Sequence, residues 1–213
     1  MSTAMAPGTD ATLPRPTADP VRTPGIGLWA QIREDWSANG RDWTKPGFRA
    51  VAVYRFGVWR MGIGSKILRF PFSVLYRWLF RRVRNNYGIE LPYSARVGRR
   101  LVIEHQGCIV VHGDTVIGDD CIIRQGVTLG NRSLDARFDA PVLGHRVNVG
   151  AGAKVLGKVR LGDGCNIGAN AVVLHDVPPG ATAVGIPARI LQPRRDDPDD
   201  LPAARQDRVT GHG

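Results

Sequence analysis

The 213-residue sequence predicts a mainly β fold, a parallel β-helix preceded by a short α-helical region. From Val97 onward an aliphatic residue recurs every six positions, a period that neither an α-helix nor an alternating strand produces. Glycine and asparagine recur in the intervening turns, where they tolerate unusual backbone angles. Residues 28–86 instead show apolar residues at helical spacing.

These patterns divide the chain into four segments. Residues 1–26 hold five prolines and almost no large apolar side chains, so we expect a disordered tail. Residues 27–89 are the helical region and residues 90–191 the β-helix domain. Residues 192–213, which include the run RRDDPDD, are expected to form a second disordered tail.

Three helices are predicted in the helical region. The first ends near Gly40, where an Asn-Gly pair interrupts the helical spacing. The second begins at Pro46, which suits a first helical turn, and ends near Gly62 or Gly64. The third lies in SKILRFPFSVLYRWLFRRVRNN, where Pro71 is expected to kink or restart the helix.

The third helix is basic and aromatic. It carries six basic residues and no acidic residue between Lys66 and Arg84. Such a helix can pack on the main domain with a solvated basic edge, or residues 64–86 can lie on an anionic membrane surface. We favour packing, because short helices also need aromatic side chains that face a core.

Composition limits the classes of partner. The net charge is +10, and residues 1–90 hold 14 Lys/Arg against 6 Asp/Glu, which favours an anionic partner. No nucleic-acid-binding signature accompanies this charge, so we expect no nucleic acid. Three cysteines without CxxC spacing predict reduced thiols and no metal site. We expect a cytoplasmic protein, because no apolar run is long enough for a transmembrane helix and no secretory signal begins the chain.

The hexapeptide units predict which side chains face the core. Position one of each unit should point inward, and position five, often small or apolar, should do so too. Cys121 and Cys165 fall on position five, so core packing is their predicted role. The residues at position one are Val97, Ile103, Val111, Ile117, Ile123, Leu129, Leu143, Val149, Val155, Leu161, Ile167 and Val173.

The amino-acid sequence of the repeats resembles that of the hexapeptide-repeat acyltransferases, in the serine acetyltransferase branch of that family. The resemblance covers residues 30–191 and rests on IGDDCIIRQGVTLGN, VGAGAKVLGKVRLGDGCNIGANAVVLHDVPPG and AVGIPARI. Within the branch, EDWSAN, LYRW and YGIELPYSARVGRR most resemble bacterial exopolysaccharide acetyltransferases of the colanic acid type. The resemblance implies a left-handed β-helix, acetyl-CoA as the acetyl donor and a homotrimer whose sites lie between adjacent β-helices.

His105 is the predicted general base. It stands at position three of its unit, where side chains point outward, but His145 and His175 share that phase. The resemblance selects His105 and implies that an acid fifteen residues earlier orients it. Glu90 holds that place, where the family usually has aspartate. Imidazole suits proton removal from a hydroxyl near neutral pH, and the activated oxygen would attack the thioester carbonyl. The inward cysteines argue against an acetyl-cysteine intermediate.

The resemblance also implies the binding residues. It places the CoA arm along the outer coils, near Gly130, Gly150, Ala151 and Ala153. Lys154 and Arg189 could meet the phosphates, although Lys154 could equally be a solvated lysine of a turn. The expected acceptor-binding residues are Asp42, Glu104 and Asp139.

One departure from the branch bears on the acceptor. Serine acetyltransferases carry an Arg-His pair before a proline in the loop that interrupts the repeats, whereas Asp139-Ala140 precede Pro141 here. A serine carboxylate without a cation is costly to bury, which favours a neutral acceptor. We therefore expect an O-acetyltransferase acting on a sugar hydroxyl in surface-polysaccharide synthesis. We expect it in the cytoplasm, and at the inner face of the membrane if the third helix binds there. The alternatives are a serine O-acetyltransferase of cysteine synthesis and a catalytically inactive β-helix scaffold.

Overall fold

The structure is a computed structural model that describes residues 26–192. The two predicted tails lie almost entirely outside the described residues, so their predicted disorder stays a prediction, as does the division into domains.

Three helices precede the strands. They are α1 (Leu28–Ala38), α2 (Pro46–Met61) and α3 (Lys66–Tyr87). The Ser65 side chain caps α3 by accepting the Leu68 N–H, and Gly88 ends it in the left-handed conformation at φ +62°. The helix continues through Pro71, so the predicted restart there is wrong. Pro71 lies near the amino end of α3, where a missing N–H removes one hydrogen bond from a long helix.

Fifteen short strands are found in the described part of the chain. They are β1 (Ile89–Glu90), β2 (Arg96–Val97), β3 (Val102–Glu104), β4 (Ile109–Val111), β5 (Val116–Ile117), β6 (Ile122–Arg124), β7 (Thr128–Gly130), β8 (Val142–Leu143), β9 (Asn148–Val149), β10 (Lys154–Leu156), β11 (Arg160–Leu161), β12 (Asn166–Ile167), β13 (Val172–Val173), β14 (Thr182–Val184) and β15 (Arg189–Leu191).

The strands form the three faces of a coil. Sheet 1 has the order β1-β4-β7-β10-β13, sheet 2 has β2-β5-β8-β11, and sheet 3 has β3-β6-β9-β12-β14-β15. Neighbouring strands pair in parallel, except that β15 folds back antiparallel on β14. Each residue therefore lies above its counterpart in the previous coil. The predicted fold class, a hexapeptide β-helix behind a short helical region, is confirmed.

The core follows the hexapeptide phase. All twelve residues at position one are buried, with at most 3% of their surface exposed. Cys121 and Cys165 are fully buried at position five, as predicted. Burial raises the pKa of the Cys121 thiol to about 11 and that of Cys165 to about 12. Both thiols are therefore protonated at neutral pH and shielded from an acyl donor.

A buried ion pair joins the helices to the first coil. Arg55 of α2 donates to Asp35 of α1 at 2.8 Å, and the same guanidinium donates to the carbonyls of Val97 and Gly98 at 2.9 and 2.5 Å. Asp35 also accepts the N–H of Arg100 at 3.1 Å. Burial raises the pKa of the Asp35 carboxyl, and the bonds from Arg55 oppose that shift. Two helices and one corner of the coil thus share one charged contact.

Three further contacts fix the same joint. The Tyr54 hydroxyl donates to the Ala95 carbonyl at 2.8 Å and accepts the Val97 N–H at 3.0 Å. Asn39 donates to the carbonyl of Leu101 at 3.1 Å. A Cβ added at Gly47 would lie 2.1 Å from the carbonyl oxygen of Ile103, so only glycine lets α2 begin this close to β3.

Replacing Arg55 by methionine should leave the Asp35 carboxylate buried without its cation. We expect the free energy of unfolding to fall by about 3–5 kcal/mol, measured by urea titration. The double variant Asp35→Leu/Arg55→Met removes both charges and should recover most of that loss.

The matched control is Arg100→Met, which breaks the more exposed pair between Arg100 and Asp120. This variant should lower the free energy of unfolding by less than about 1 kcal/mol. Equal losses in the Arg55 and Arg100 variants would show that the buried pair has no special role.

Candidate active site

The corner that carries His105 is longer than its counterparts. Cys108 lies five residues after Ile103, whereas Gly126, its counterpart in the next coil, lies three residues after Ile123. The longer corner has positive φ at His105 (63°), Gly107 (110°) and Cys108 (52°). Two additional residues therefore bulge from the coil here and leave the His105 side chain exposed.

This bulge forms one wall of a cavity of about 720 Å³. The opposite wall is the end of α1 and the start of α2, which the contacts of Arg55 and Gly47 hold against β3. The cavity is lined by Ala38, Asn39, Gly40, Lys45, Pro46, Gly47, Val102, Ile103, Glu104, His105 and Gln106. Among these residues His105 is the one whose side-chain type most often acts as a general base on a hydroxyl near neutral pH.

The other two histidines of the same phase lie elsewhere. His145 is partly buried, and its Nδ1 accepts the backbone N–H of Asp119 at 3.1 Å. His175 is exposed after β13, four coils from the cavity. Neither lines the cavity, so position in the fold favours His105 as the resemblance did.

Glu104 lines the cavity beside His105 and carries a partner. Its Oε2 forms an ion pair with Arg124, 2.8 Å from Nε, and Arg124 also donates to the Asn148 side chain. This polar row on the outer face of sheet 3 fixes the direction of the Glu104 carboxylate. An anionic group therefore stands at a defined place next to the candidate base.

The predicted orienting acid, Glu90, is not joined to His105. Glu90 lies on β1 in sheet 1, opposite Val110, and outside the cavity lining. Within residues 26–192 no hydrogen bond or ion pair links the two side chains. Their pairing therefore remains a prediction.

The two other predicted acceptor residues also lie outside the cavity lining. Asp42 sits between α1 and α2, where it accepts bonds from the Thr44 N–H at 2.7 Å and hydroxyl at 2.6 Å. These bonds, the hydroxyl first, lower the pKa of the Asp42 carboxyl. Asp139 lies in the loop between β7 and β8. Their predicted role is not tested by this geometry.

The predicted CoA residues are spread over the later coils. Gly130, Gly150 and Ala151 lie on the outer coils. The N–H and carbonyl of Ala153 are already bonded to Gly150 and Thr128, and its side chain is buried. The backbone of Ala153 therefore has little left to offer a ligand.

The two predicted phosphate contacts lie near each other at the last coil, because Val172 pairs with Lys154 and its carbonyl accepts the N–H of Ala188, the neighbour of Arg189. Lys154 on sheet 1 donates to the Gly126 carbonyl. Arg189 is exposed on the last strand of sheet 3. Their predicted role in binding phosphate is not tested by this geometry and stays a prediction.

Lys45 is the residue that sequence reasoning missed. A Cβ at Gly40 would lie 3.1 Å from Lys45 Nζ, which places the ammonium over the Gly40 backbone at the cavity wall. The motif Lys45-Pro46-Gly47 indicated only a helix start. Its place opposite His105 depends on how α2 docks, which no local pattern reveals.

Comparison with known proteins identifies the family. The model of the bacterial transferase hexapeptide, with six repeats, matches residues 140–175. The serine acetyltransferase of Helicobacter pylori strain J99 is 42% identical over 146 residues, which cover 68% of this chain and 81% of that protein. The chain belongs to the hexapeptide-repeat acyltransferases. Its relatives at 37–42% identity are named serine acetyltransferases, so the predicted branch is supported and closeness to exopolysaccharide acetyltransferases is not.

Solved structures agree with the sequence relatives. Soybean serine acetyltransferase complexed with serine has a TM-score of 0.65 and 33% identity, and the match covers 77% of this chain and 69% of that one. Serine acetyltransferase of Brucella abortus strain S19 in complex with coenzyme A has a TM-score of 0.64 and 27% identity, covering 78% and 66%. These findings confirm the acyltransferase class and its CoA co-substrate at the level of the family.

The chain is shorter than several of its relatives. It spans 57% of the serine acetyltransferase of Synechococcus elongatus, which is 38% identical over 146 residues covering 68% of this chain. Within residues 26–192 no helix is long and apolar enough to cross a membrane. The same residues hold no cluster of three His, Cys, Asp or Glu side chains that could bind a metal.

The predicted sugar acceptor is wrong. The relatives and the structural neighbours are serine acetyltransferases, which supports the alternative acceptor. The error came from treating the loop before Pro141 as the one source of a cation for the serine carboxylate. Lys45, from a different element, reaches the wall of the His105 cavity.

Replacing His105 by alanine should leave the fold intact and lower turnover at least about 100-fold, the usual contribution of a general base. Thiol release from acetyl-CoA measures it, and circular dichroism checks the fold. Glu90→Gln should lower turnover less than His105→Ala does.

His175→Ala is the matched control, because His175 has the same hexapeptide phase and is also exposed. Its turnover should stay near that of the unmodified protein. A His105→Ala variant with near-normal turnover would exclude His105 as the base.

Proposed function

We propose that this protein transfers the acetyl group of acetyl-CoA to the hydroxyl of L-serine. The observation that carries the proposal is the cavity that His105 lines together with a cation, Lys45, and an anion, Glu104. Membership of the acyltransferase family supplies the donor, and the names of the relatives supply the acceptor.

The chemistry requires one base at the hydroxyl. His105 takes the hydroxyl proton while the serine oxygen attacks the thioester carbonyl. When the tetrahedral intermediate collapses, the C–S bond breaks and the imidazolium returns the proton to the CoA sulfur. The products are O-acetyl-L-serine and free CoA, and no other reactant is consumed.

The charges of the cavity suit an amino acid. Free serine carries a carboxylate and an ammonium, and both lose water when they enter a cavity. Lys45 offers the carboxylate a charge-assisted hydrogen bond. Glu104 offers the ammonium its Oε1, because the ion pair with Arg124 Nε is made by Oε2. A sugar hydroxyl would bring no charged group to pair with either Lys45 or Glu104.

Replacing Lys45 by methionine tests this recognition. The variant should lose about 10- to 100-fold in kcat/KM for L-serine, the value of a charge-assisted bond. With L-serinamide, which has no carboxylate, the variant and the unmodified protein should turn over equally slowly. Thiol release from acetyl-CoA at varied acceptor concentration provides both constants.

The control is Lys158→Met, an exposed lysine between β10 and β11. It should behave as the unmodified protein. If L-serine does not raise thiol release above the rate without acceptor, serine is not the acceptor. If Lys45→Met lowers kcat/KM equally for L-serine and L-serinamide, Lys45 does not bind the carboxylate.

We also propose a homotrimer. The loop between β7 and β8 exposes two large apolar side chains, Leu134 and Phe138, each with 84% of its surface in contact with solvent. Such side chains are expected to be covered by another copy of the chain, because a small domain rarely leaves them free on one loop. Closed symmetric assemblies are the usual result of such contacts.

Light scattering of the purified chain tests the assembly. We expect a mass three times the 23.2 kDa of one chain. Leu134→Ser/Phe138→Ser should shift the assembly toward smaller species at low micromolar concentration. A monomer at every concentration would exclude the trimer.

A further inference from the structure

Helix α3 carries an apolar stripe that faces solvent. Ile67, Phe70, Val74 and Trp78 recur at i, i+3, i+7 and i+11, so they share one side of the helix. Their exposed fractions are 85%, 64%, 45% and 57%. We call these four residues the outer stripe.

The helix already uses a different side to pack. Tyr76 and Val83 are its two buried residues, and they face α2 and the first coil. A helix that only packed on the main domain would need that one apolar side and would be polar on the other. The outer stripe therefore has no purpose in the packing seen within residues 26–192.

The outer stripe is held in place rather than loosely exposed. The Phe72 ring lies edge-on to Trp59 of α2, with ring centroids 5.4 Å apart. The Arg60 guanidinium lies over the rings of both Tyr76 and Tyr93, 4.4 Å from each centroid. These contacts fix α3 against α2 and against the segment before β2. The apolar surface is thus presented in one orientation before any partner arrives.

Cations flank the outer stripe. By helical spacing Arg77 lies on one side of it and Arg82 on the other, and Arg81 continues the same side of the helix one turn beyond Trp78. With Lys66, Arg69 and Arg84 they make six basic residues, and no acidic residue occurs between Lys66 and Arg84. An apolar stripe bordered by basic side chains fits a surface whose outer layer is anionic and whose interior is hydrocarbon.

We propose that α3 binds the surface of a membrane that contains anionic lipids. The outer stripe enters the boundary between headgroups and acyl chains, and the flanking arginines contact lipid phosphates. The helix lies on the membrane and does not cross it, in keeping with its six basic residues. This proposal does not depend on the acceptor of the acetyl group.

Two other occupants fit the surface less well. A second copy of α3 would bring two uniformly basic helices together, and like charges oppose that pairing. A nucleic acid would match the arginines, but it offers no hydrocarbon to Ile67 and Val74. The combination of aliphatic stripe and cations therefore selects lipid.

Sedimentation with vesicles tests the proposal. The full chain should pellet with vesicles of phosphatidylglycerol and phosphatidylcholine. It should bind at least about tenfold more weakly to phosphatidylcholine alone, or to the mixed vesicles in 1 M salt. Tryptophan fluorescence should shift to shorter wavelength on binding, and Trp78→Leu should reduce that shift.

Two double variants separate the contributions. Ile67→Glu/Val74→Glu and Arg77→Glu/Arg81→Glu should each weaken binding to mixed vesicles at least about tenfold. The control Arg33→Glu/Lys158→Glu makes the same change in charge as the arginine variant, on α1 and on the β-helix. It should bind nearly as the unmodified chain does, and all variants should retain thiol release from acetyl-CoA.

Several results would overturn the proposal. They are a chain that does not bind mixed vesicles, equal binding to neutral vesicles, or a control that loses as much as the arginine variant. A lower mass for Ile67→Glu/Val74→Glu in light scattering, without vesicle binding by the unmodified chain, would assign the outer stripe to another copy. Binding of duplex DNA without vesicle binding would assign it to nucleic acid.

Discussion

The contact between Arg55 and Asp35 determines the geometry on which the candidate active site depends. Its guanidinium is shared by a carboxylate on α1 and two carbonyls of the first coil. Moving two charges out of water is expensive, and replacement by apolar residues is often neutral, so such a pair is weak grounds for claiming stability. The pair instead fixes geometry, because the N–H groups of a guanidinium lie in one plane and form good hydrogen bonds only with partners placed in that plane. The end of α1 and the start of α2 are thereby placed over β3, where the His105 cavity lies.

The sequence predicted the β-helix well because each hexapeptide unit encodes its own structure. A unit needs only an inward aliphatic residue and a turn, and the same two features are required in each neighbouring coil. Burial of Ile103, Cys121 and Cys165 followed directly from this phase. The outward direction of His105 followed as well. Two additional residues were visible as a break in the period, but their effect on the corner needed coordinates.

The site was harder to predict because it combines elements that are distant in sequence. Lys45 lines the same cavity as His105 because Gly47 allows α2 to approach the Ile103 carbonyl. Neither residue belongs to a repeat, and their local pattern specified only a helix start. The inference about the acceptor failed for the same reason. A loop motif can be recognised as missing, whereas a charge supplied from another helix becomes visible only after the chain has folded.

The docked helices also affect the exposed backbone at the first coil of the β-helix, and a different feature acts at the last coil. A parallel β-helix ends in strands with unpaired backbone groups, which invite further strands to add and so promote aggregation. At the first coil Tyr54 and Arg55 bond the backbone of Ala95, Val97 and Gly98. At the far end, β15 turns back and pairs antiparallel with β14. The docking that shapes the cavity also occupies backbone groups around β2, so that this part of the first coil offers less of a template for the growth of a fibre.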